Sequence, residues 1–240
     1  MNILILGYGK MGKIIAEVAE GRGHAIAGKI NIDNREELDT LDTSSIDAAI
    51  EFSEPTAAFE NISWALGHHI PVICGTTGWL ERKPEIEQLA LSKGGSFFYA
   101  SNYSIGVNIF FKVNRFLAKI MDGQTDYKVS LEEIHHTEKK DAPSGTAISL
   151  AEDIINKISR IKRWDMDTDM NEREYSLPIT ATREDPAPGT HKVAYHSDVD
   201  DIEIKHTAHS RKGFALGSIL VAEWIKDKKG VLSMDDFLSF

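Results

Sequence analysis

The 240-residue chain is 42% hydrophobic and 27% charged, enough apolar material to bury the core of one large domain or two small ones. Its formal net charge of -10 argues against a general nucleic-acid or membrane-surface binder, because phosphate-rich partners attract basic faces. The one cysteine, Cys74, excludes an internal disulfide framework and a multi-cysteine metal site, and suits a reducing compartment.

The opening MNILILGYGK runs from an apolar strand straight into glycines, without the long apolar segment and cleavage site of a signal peptide. No stretch is apolar enough to span a bilayer, so a cytoplasmic protein with neither membrane nor nucleic-acid partner is expected. Residues 2–6 read as a strand, Gly7-Tyr8-Gly9-Lys10-Met11-Gly12 as a tight turn, residues 13–20 as a helix and residues 24–32 as a second strand. In that setting G-x-G-x-x-G is a dinucleotide fingerprint. Gly7 permits the turn, Gly9 lets backbone approach a pyrophosphate, and Gly12 lets helix pack closely on strand.

The alternation continues with strands at 46–52, 70–74 and 96–100 and helices at 55–66 and 84–92. It predicts an α/β fold with a doubly wound parallel sheet of Rossmann type. Ligands of such sheets lie outside the carboxyl ends of the strands, which singles out Ser53, then Gly75, Thr76 and Thr77, then Ala100, Ser101, Asn102 and Tyr103 as cofactor-binding candidates. Cys74 has no adjacent base in sequence and reads as a small buried strand residue rather than a nucleophile.

Beyond Tyr103 the pattern changes. Helices are expected at 107–120 and 146–158, with a strand between them at 128–136. Extended segments then follow one another at 176–182, 191–195 and 202–209, which predicts a C-terminal α+β domain with a mixed sheet. A last helix at 214–226 should return to the first domain. The expected division is 1–104, joined by 212–240, and 105–211.

The run Glu133-Ile-His135-His136-Thr-Glu-Lys139-Lys140-Asp141-Ala-Pro143-Ser144-Gly145-Thr146-Ala joins bases to a helix start. Pro143 suits the first helical turn and Asp141 or Ala142 the cap, so Ser144, Gly145 and Thr146 would direct N–H groups outward to an anion. Zinc is a poor reading of His135, His136 and Glu138, because adjacent histidines on a strand point to opposite faces; no metal is expected. Plain capping and a solvated charge run remain the alternatives to an acid/base site for an acidic small molecule.

These residues resemble the dihydrodipicolinate reductase (4-hydroxy-tetrahydrodipicolinate reductase) family over essentially the whole chain. E-x-H-H-x-x-x-K-x-D-A-P-S-G-T-A is highly specific to it, and G-Y-G-K-M-G, G-T-T-G-W, A-S-N-Y-S-I-G-V-N and S-R-K-G-F-A-x-G match its other signatures in order. The resemblance implies a homotetramer with an N-terminal dinucleotide-binding domain and a C-terminal domain for substrate and oligomerisation. It implies reduction of a cyclic dicarboxylate, 4-hydroxy-tetrahydrodipicolinate, by NADH or NADPH in lysine and diaminopimelate biosynthesis. His135 and Lys139 match the catalytic proton donors. His136, Gly145, Thr146 and Arg211 match substrate-binding positions, with Ser144 in the same cradle. Where the family often has an acidic residue at the end of the second strand, this chain has Asn31, followed by Asp33 and Arg35, which leaves both nucleotides open. Another Rossmann oxidoreductase of a small acidic metabolite would share the first domain, and a non-catalytic nucleotide sensor would need only that domain. An aspartate-semialdehyde dehydrogenase among the former should show a catalytic cysteine well into the chain, and Cys74 is wrongly placed for it; the sensor would not explain the histidine-lysine cluster.

Overall fold

The computed structural model describes residues 1–166, 175–210 and 212–239. In chain order its elements are β1 (Asn2–Leu6), α1 (Lys10–Gly21), β2 (Ala25–Ile30), β3 (Ala48–Glu51), α2 (Pro55–Gly67), β4 (Val72–Cys74), α3 (Lys83–Ser92), β5 (Ser96–Tyr99) and α4 (Ile105–Met121). There follow β6 (Lys128–His135), α5 (Gly145–Ile155), β7 (Arg163–Met166), β8 (Ser176–Arg183), β9 (Gly189–His196), β10 (Asp201–Ala208), α6 (Lys212–Ile225), β11 (Gly230–Leu232) and α7 (Met234–Leu238). Contacts divide the chain into one unit of Met1–Ile105 with Lys212–Phe240 and another of Gly106–Arg211.

The first unit holds a parallel six-stranded sheet in the order β11-β5-β4-β3-β1-β2. Its strands are short apolar runs because both faces are covered. On β1, Ile3 and Ile5 join a core with Ile15 and Ala19 of α1 and Ile219 and Ala222 of α6, while Leu4 and Leu6 join Ile62 and Leu66 of α2 and Ile86 of α3. All four β1 side chains are fully buried, each contributing about 1.5–3 kcal/mol by leaving water. The chain moves from β1 outward to β2 and returns to β3 on the other side of β1. Strand order therefore reverses between β1 and β3, and a ligand site is expected beyond their carboxyl ends.

The second unit holds a mixed five-stranded sheet, β10-β9-β6-β8-β7, in which β6 runs antiparallel to β9 and parallel to β8. Helices α4 and α5 cover one face, packing Phe110, Ala118, Leu150 and Ile154 on Val129, Leu131, Ile179, Val193 and Tyr195. Asn114 Nδ2 donates to the Leu150 carbonyl at 3.1 Å, tying the two helices together. The opposite face carries Lys192 paired with Glu132 and Glu203 at 3.2 and 3.4 Å.

Several elements differ from the sequence reading. β7 and β11 are added strands; β11 lies beside β5, a pairing between residues far apart in sequence that no local pattern reports. β2 stops at Ile30, and Asn31 caps a 3-10 segment over Ile32–Thr40. The expected cap at Asp141 or Ala142 is corrected to Ser144, whose Oγ accepts from the Ala147 N–H at 3.2 Å. A serine with free backbone before it is the better cap, and Pro143 lies outside the helix.

Candidate active site

In the first unit the glycine turn has the geometry its sequence implies. Gly7 has φ 98°, and a Cβ there would stand 2.3 Å from the Phe52 carbonyl oxygen. A Cβ on Gly12 would stand 2.2 Å from the Gly7 carbonyl oxygen, so only glycine lets α1 approach the turn. At Gly9 a Cβ would meet nothing within 4 Å, and no side chain caps the helix there. The first N–H groups of α1 thus have no side-chain cap, which leaves backbone donors available to an anion.

The turn borders a cavity of about 850 Å³ at the β1/β3 reversal, walled by Gly7, Gly9, Lys10, Met11, Asn31, Arg35, Ser53, Gly75, Thr76 and Thr77 among others. Its position, its polar rim and the uncapped helix fit a dinucleotide. Tyr8 and Gly12 support the turn outside the cavity walls; Lys29 stands 5.2 Å from the Tyr8 ring centre. Ala100, Ser101, Asn102 and Tyr103 also lie outside those walls. Tyr103 is a core residue whose hydroxyl donates to the Cys74 carbonyl at 2.7 Å, and Asn102 Oδ1 accepts from Ser104 N at 2.8 Å.

Glu51, at the carboxyl end of β3, was not singled out by the sequence, since it ends an otherwise apolar strand. It is fully buried. Its carboxylate accepts from the Ser53 N–H at 3.1 Å, from the Ser53 hydroxyl, and from the Cys74 thiol at 3.2 Å. Burial, then the Glu51 charge, push the Cys74 thiol well above its ordinary pKa, so it stays protonated and is no nucleophile.

In the second unit β6 places two titratable side chains on its inward face. Val129, Leu131, Glu133 and His135 all point inward, and the last two follow the apolar pair at the carboxyl end of the strand. Glu133 is fully buried, with Oε1 accepting from Arg183 and Oε2 from the Ser144 N–H, both at 3.0 Å. His135 Nδ1 and His191 Nε2 lie 3.6 and 3.7 Å from Glu133 Oε2. The two rings meet edge to face at 5.1 Å, and His191 Nε2 is 3.0 Å from Ser144 Oγ. Cross-strand register makes the cluster, pairing Glu133 with His191 of β9 and His135 with Arg183 of β8. His191 and Arg183 were missed because register between distant segments leaves no local trace. Glu133 was legible in principle, since the period of two places it on the same face as His135.

Gly189 leaves the other ring nitrogen open: a Cβ there would press to 3.1 Å from His135 Nε2. Lys139 is held by Asp141, with its Nζ 2.7 Å from both carboxylate oxygens, and Arg183 also donates to the Lys139 and Asp141 carbonyls. His136 lies beyond the end of β6, half-buried, its carbonyl accepting from the Lys139 N–H. The Ser144 N–H, expected to point outward to an anion, is instead consumed by Glu133. Gly145 and Thr146 retain first-turn N–H groups with no partner among the described residues, and a Cβ on Gly145 would meet nothing within 4 Å. Arg211 lies outside the described residues.

Charge follows from this packing. Burial pushes the Glu133 carboxyl up, but donors on His191, Ser144 and Arg183 outweigh it and hold the pKa at about 2. Burial lowers His135 from 6.5 to about 4; Glu133 opposes this, while His191, Lys139 and Arg183 add to it. Near neutral pH the pair is an ionised carboxylate beside an uncharged imidazole. As pH falls from 6.5 toward about 4, the unfolded chain binds a proton at His135 that the folded chain refuses, and stability is lost; Glu133 extends the loss from 4.5 toward about 2. Thermal melting should therefore decline already between pH 6.5 and 5, and the His135→Asn variant should show a flatter decline there. An unchanged slope would remove His135 as its source.

The ligand-type atoms of Glu133, His135 and His191 lie within 4.8 Å of one another, a spacing a metal ion can use. Both carboxylate oxygens nevertheless accept hydrogen bonds from Arg183 and Ser144, while His135 Nδ1 has no hydrogen-bond partner among the described residues.

A parallel doubly wound unit with an uncapped glycine turn over a nucleotide-sized cavity, together with an acid/base cluster beside a second open helix end, defines a pyridine-nucleotide oxidoreductase. Comparison with known proteins narrows the class. Residues 1–103 match the family model "Dihydrodipicolinate reductase, N-terminus" and residues 106–238 match "Dihydrodipicolinate reductase, C-terminus". The chain is 49% identical over 239 residues to the 4-hydroxy-tetrahydrodipicolinate reductase of Christiangramia forsetii, covering 100% of this chain and 98% of that one. It is 34% identical to the protein of the same name from Methanococcoides burtonii, covering 95% and 85%. Among solved structures, a dipicolinate-bound dihydrodipicolinate reductase from Paenisporosarcina sp. TG-14 shares the fold, with TM-score 0.78, 18% identity and 99% coverage of both chains. The chain belongs to the dihydrodipicolinate reductase family, reductases of lysine biosynthesis that use a pyridine nucleotide.

Proposed function

We propose that the chain reduces 4-hydroxy-tetrahydrodipicolinate to tetrahydrodipicolinate, with NADH or NADPH held by the first unit and the cyclic dicarboxylate by the second. The observation that carries this reading is His135, uncharged and buried against ionised Glu133, with Nε2 left open by Gly189, in a chain of this family. Gly7, Gly9, Lys10 and Met11 would hold the pyrophosphate, Asn31 the adenosine ribose, and Ser53, Gly75, Thr76 and Thr77 the remaining nucleotide. Asn31 does not repel a 2'-phosphate as a carboxylate would, and Arg35 in the same wall favours one, so both nucleotides are expected to serve. The nicotinamide, when bound, supplies hydride to the ring. The hydroxyl leaves as water with a neighbouring ring hydrogen, which forms a second double bond, and saturating one double bond by hydride then takes up one proton.

The chain's own residues supply the rest. Gly145 and Thr146 offer their N–H groups to a substrate carboxylate, with His136 beside them, and His135 and Lys139 hold the proton. Ser144 serves this site as the cap and partner of Glu133 and His191 rather than as a direct donor. Free His135 is uncharged at neutral pH, so it must gain its proton as the anionic substrate arrives; two carboxylates nearby raise its pKa. A homotetramer and a cytoplasmic setting accompany the family reading. No helix among the described residues is long and apolar enough to cross a membrane.

Pyridine-2,6-dicarboxylate tests this directly, because it presents two carboxylates on a flat ring. It should compete with substrate, and calorimetry in buffers of different ionisation heat should show uptake of about one proton on binding at neutral pH. Binding without proton uptake would contradict the role of His135, and no competition at millimolar concentration would contradict the anion site.

A further inference from the structure

Four polar side chains of the first unit form a hydrogen-bonded chain with one direction. Arg35, in the cavity wall, donates from its guanidinium to Asn61 Oδ1. Asn61 Nδ2 donates to Ser53 Oγ at 3.2 Å. The Ser53 hydroxyl donates to Glu51. These three donors point the same way, the Ser53 hydroxyl having a second, longer acceptor in the Glu54 carbonyl at 3.4 Å, and the chain ends on a carboxylate that is 0% exposed. Asn61 is itself 5% exposed, so neither link is a solvated surface contact.

An anion at one end fixes the polarity of such a chain. A carboxylate can only accept, so the Ser53 hydroxyl must donate inward, and its oxygen is then left to accept from an amide. That holds Asn61 with its NH₂ toward Ser53 and its carbonyl oxygen toward Arg35, where a guanidinium, which can only donate, finds its acceptor. A donor in place of the carboxylate allows the reverse order: the Ser53 hydroxyl turns outward, Asn61 flips, and its NH₂ then faces the guanidinium.

We infer that Glu51 is a positioning residue for the nucleotide, acting through Ser53 and Asn61 to hold Arg35 at the ribose end of the cavity and so to favour a phosphorylated adenosine ribose. The inference rests on the nucleotide reading of that cavity. An arginine near the end of the second strand is the group that accommodates a 2'-phosphate, whereas unphosphorylated ribose gains little from it. The charge that sets this selectivity thus lies three hydrogen bonds from Arg35 and directly behind Ser53 of the cavity wall.

The experiment is a double-mutant cycle on nucleotide binding by the full chain, measured by fluorescence of bound NADPH and NADH without substrate. Glu51→Met, which removes the acceptor, should weaken NADPH by about tenfold and NADH by less than about threefold, and in an Arg35→Gln background it should cost NADPH nothing further. A role confined to stability would weaken both nucleotides alike and add independently to Arg35→Gln. Asn61→Leu cuts the chain without touching the buried carboxylate; if Glu51→Met does not fold, the same loss of NADPH preference in Asn61→Leu carries the test. An unchanged NADPH to NADH ratio in these variants overturns the inference. Failure of the unaltered protein to bind either nucleotide would instead overturn the reading of the cavity.

Discussion

Replacing His135 by alanine is expected to lower turnover by about 10²–10⁴-fold while leaving NADH affinity within about twofold. The split follows from where the residue lies: His135 ends β6 of the second unit, and the nucleotide cavity is walled by residues of the first. Lys139→Ala should act in the same sense. Its ammonium is clasped by Asp141, so proton donation requires it to leave that partner, and Asp141→Asn should raise rather than lower its freedom to do so. Single-turnover mixing of enzyme, nucleotide and substrate separates the cases. A His135→Ala enzyme with near-normal turnover, or one that has lost NADH binding in proportion, contradicts the proton role.

Removing the carboxylate behind that histidine should be the most damaging change to the second unit. Glu133→Ala leaves the Arg183 charge without its partner, strips the acceptor from the Ser144 N–H and removes the charge beside two imidazoles, a loss of about 3–5 kcal/mol by the usual cost of breaking a buried pair. Denaturant unfolding measures it, with the midpoint expected to fall at unchanged slope. Glu133→Gln keeps the volume and one acceptor but removes the charge that supports a proton on His135. It should therefore retain more stability than alanine while losing most of the proton uptake on dicarboxylate binding. Equal stability of the alanine variant and the unaltered protein would show that the cluster does not hold β6, β8 and β9 together.

The sequence spoke clearly where the chemistry is local. The turn from Gly7 to Gly12 is contiguous, and glycine there has few alternative uses; a helix start near Ser144 is legible too, though its expected cap falls two or three residues early. The alternation of strands with helices likewise identified a doubly wound sheet, since fully apolar strands such as Leu4 to Leu6 require cover on both faces. What the sequence hid depends on register. His191 and Arg183 meet Glu133 and His135 only because β9 and β8 flank β6, and Glu51 gains meaning only from Ser53, Asn61 and Cys74 folding around it. The Ser144 N–H went to a buried carboxylate eleven residues earlier in the chain, a partner that capping rules alone do not name.

The most direct measurement is oxidation of NADH or NADPH by the purified protein, followed by absorbance, with freshly formed 4-hydroxy-tetrahydrodipicolinate, an aldehyde and a sugar lactone offered in parallel. Rapid oxidation with the cyclic dicarboxylate alone is the expected result. Oxidation with the aldehyde or the lactone instead, or binding of nucleotide with no oxidation by any of the three, would contradict it.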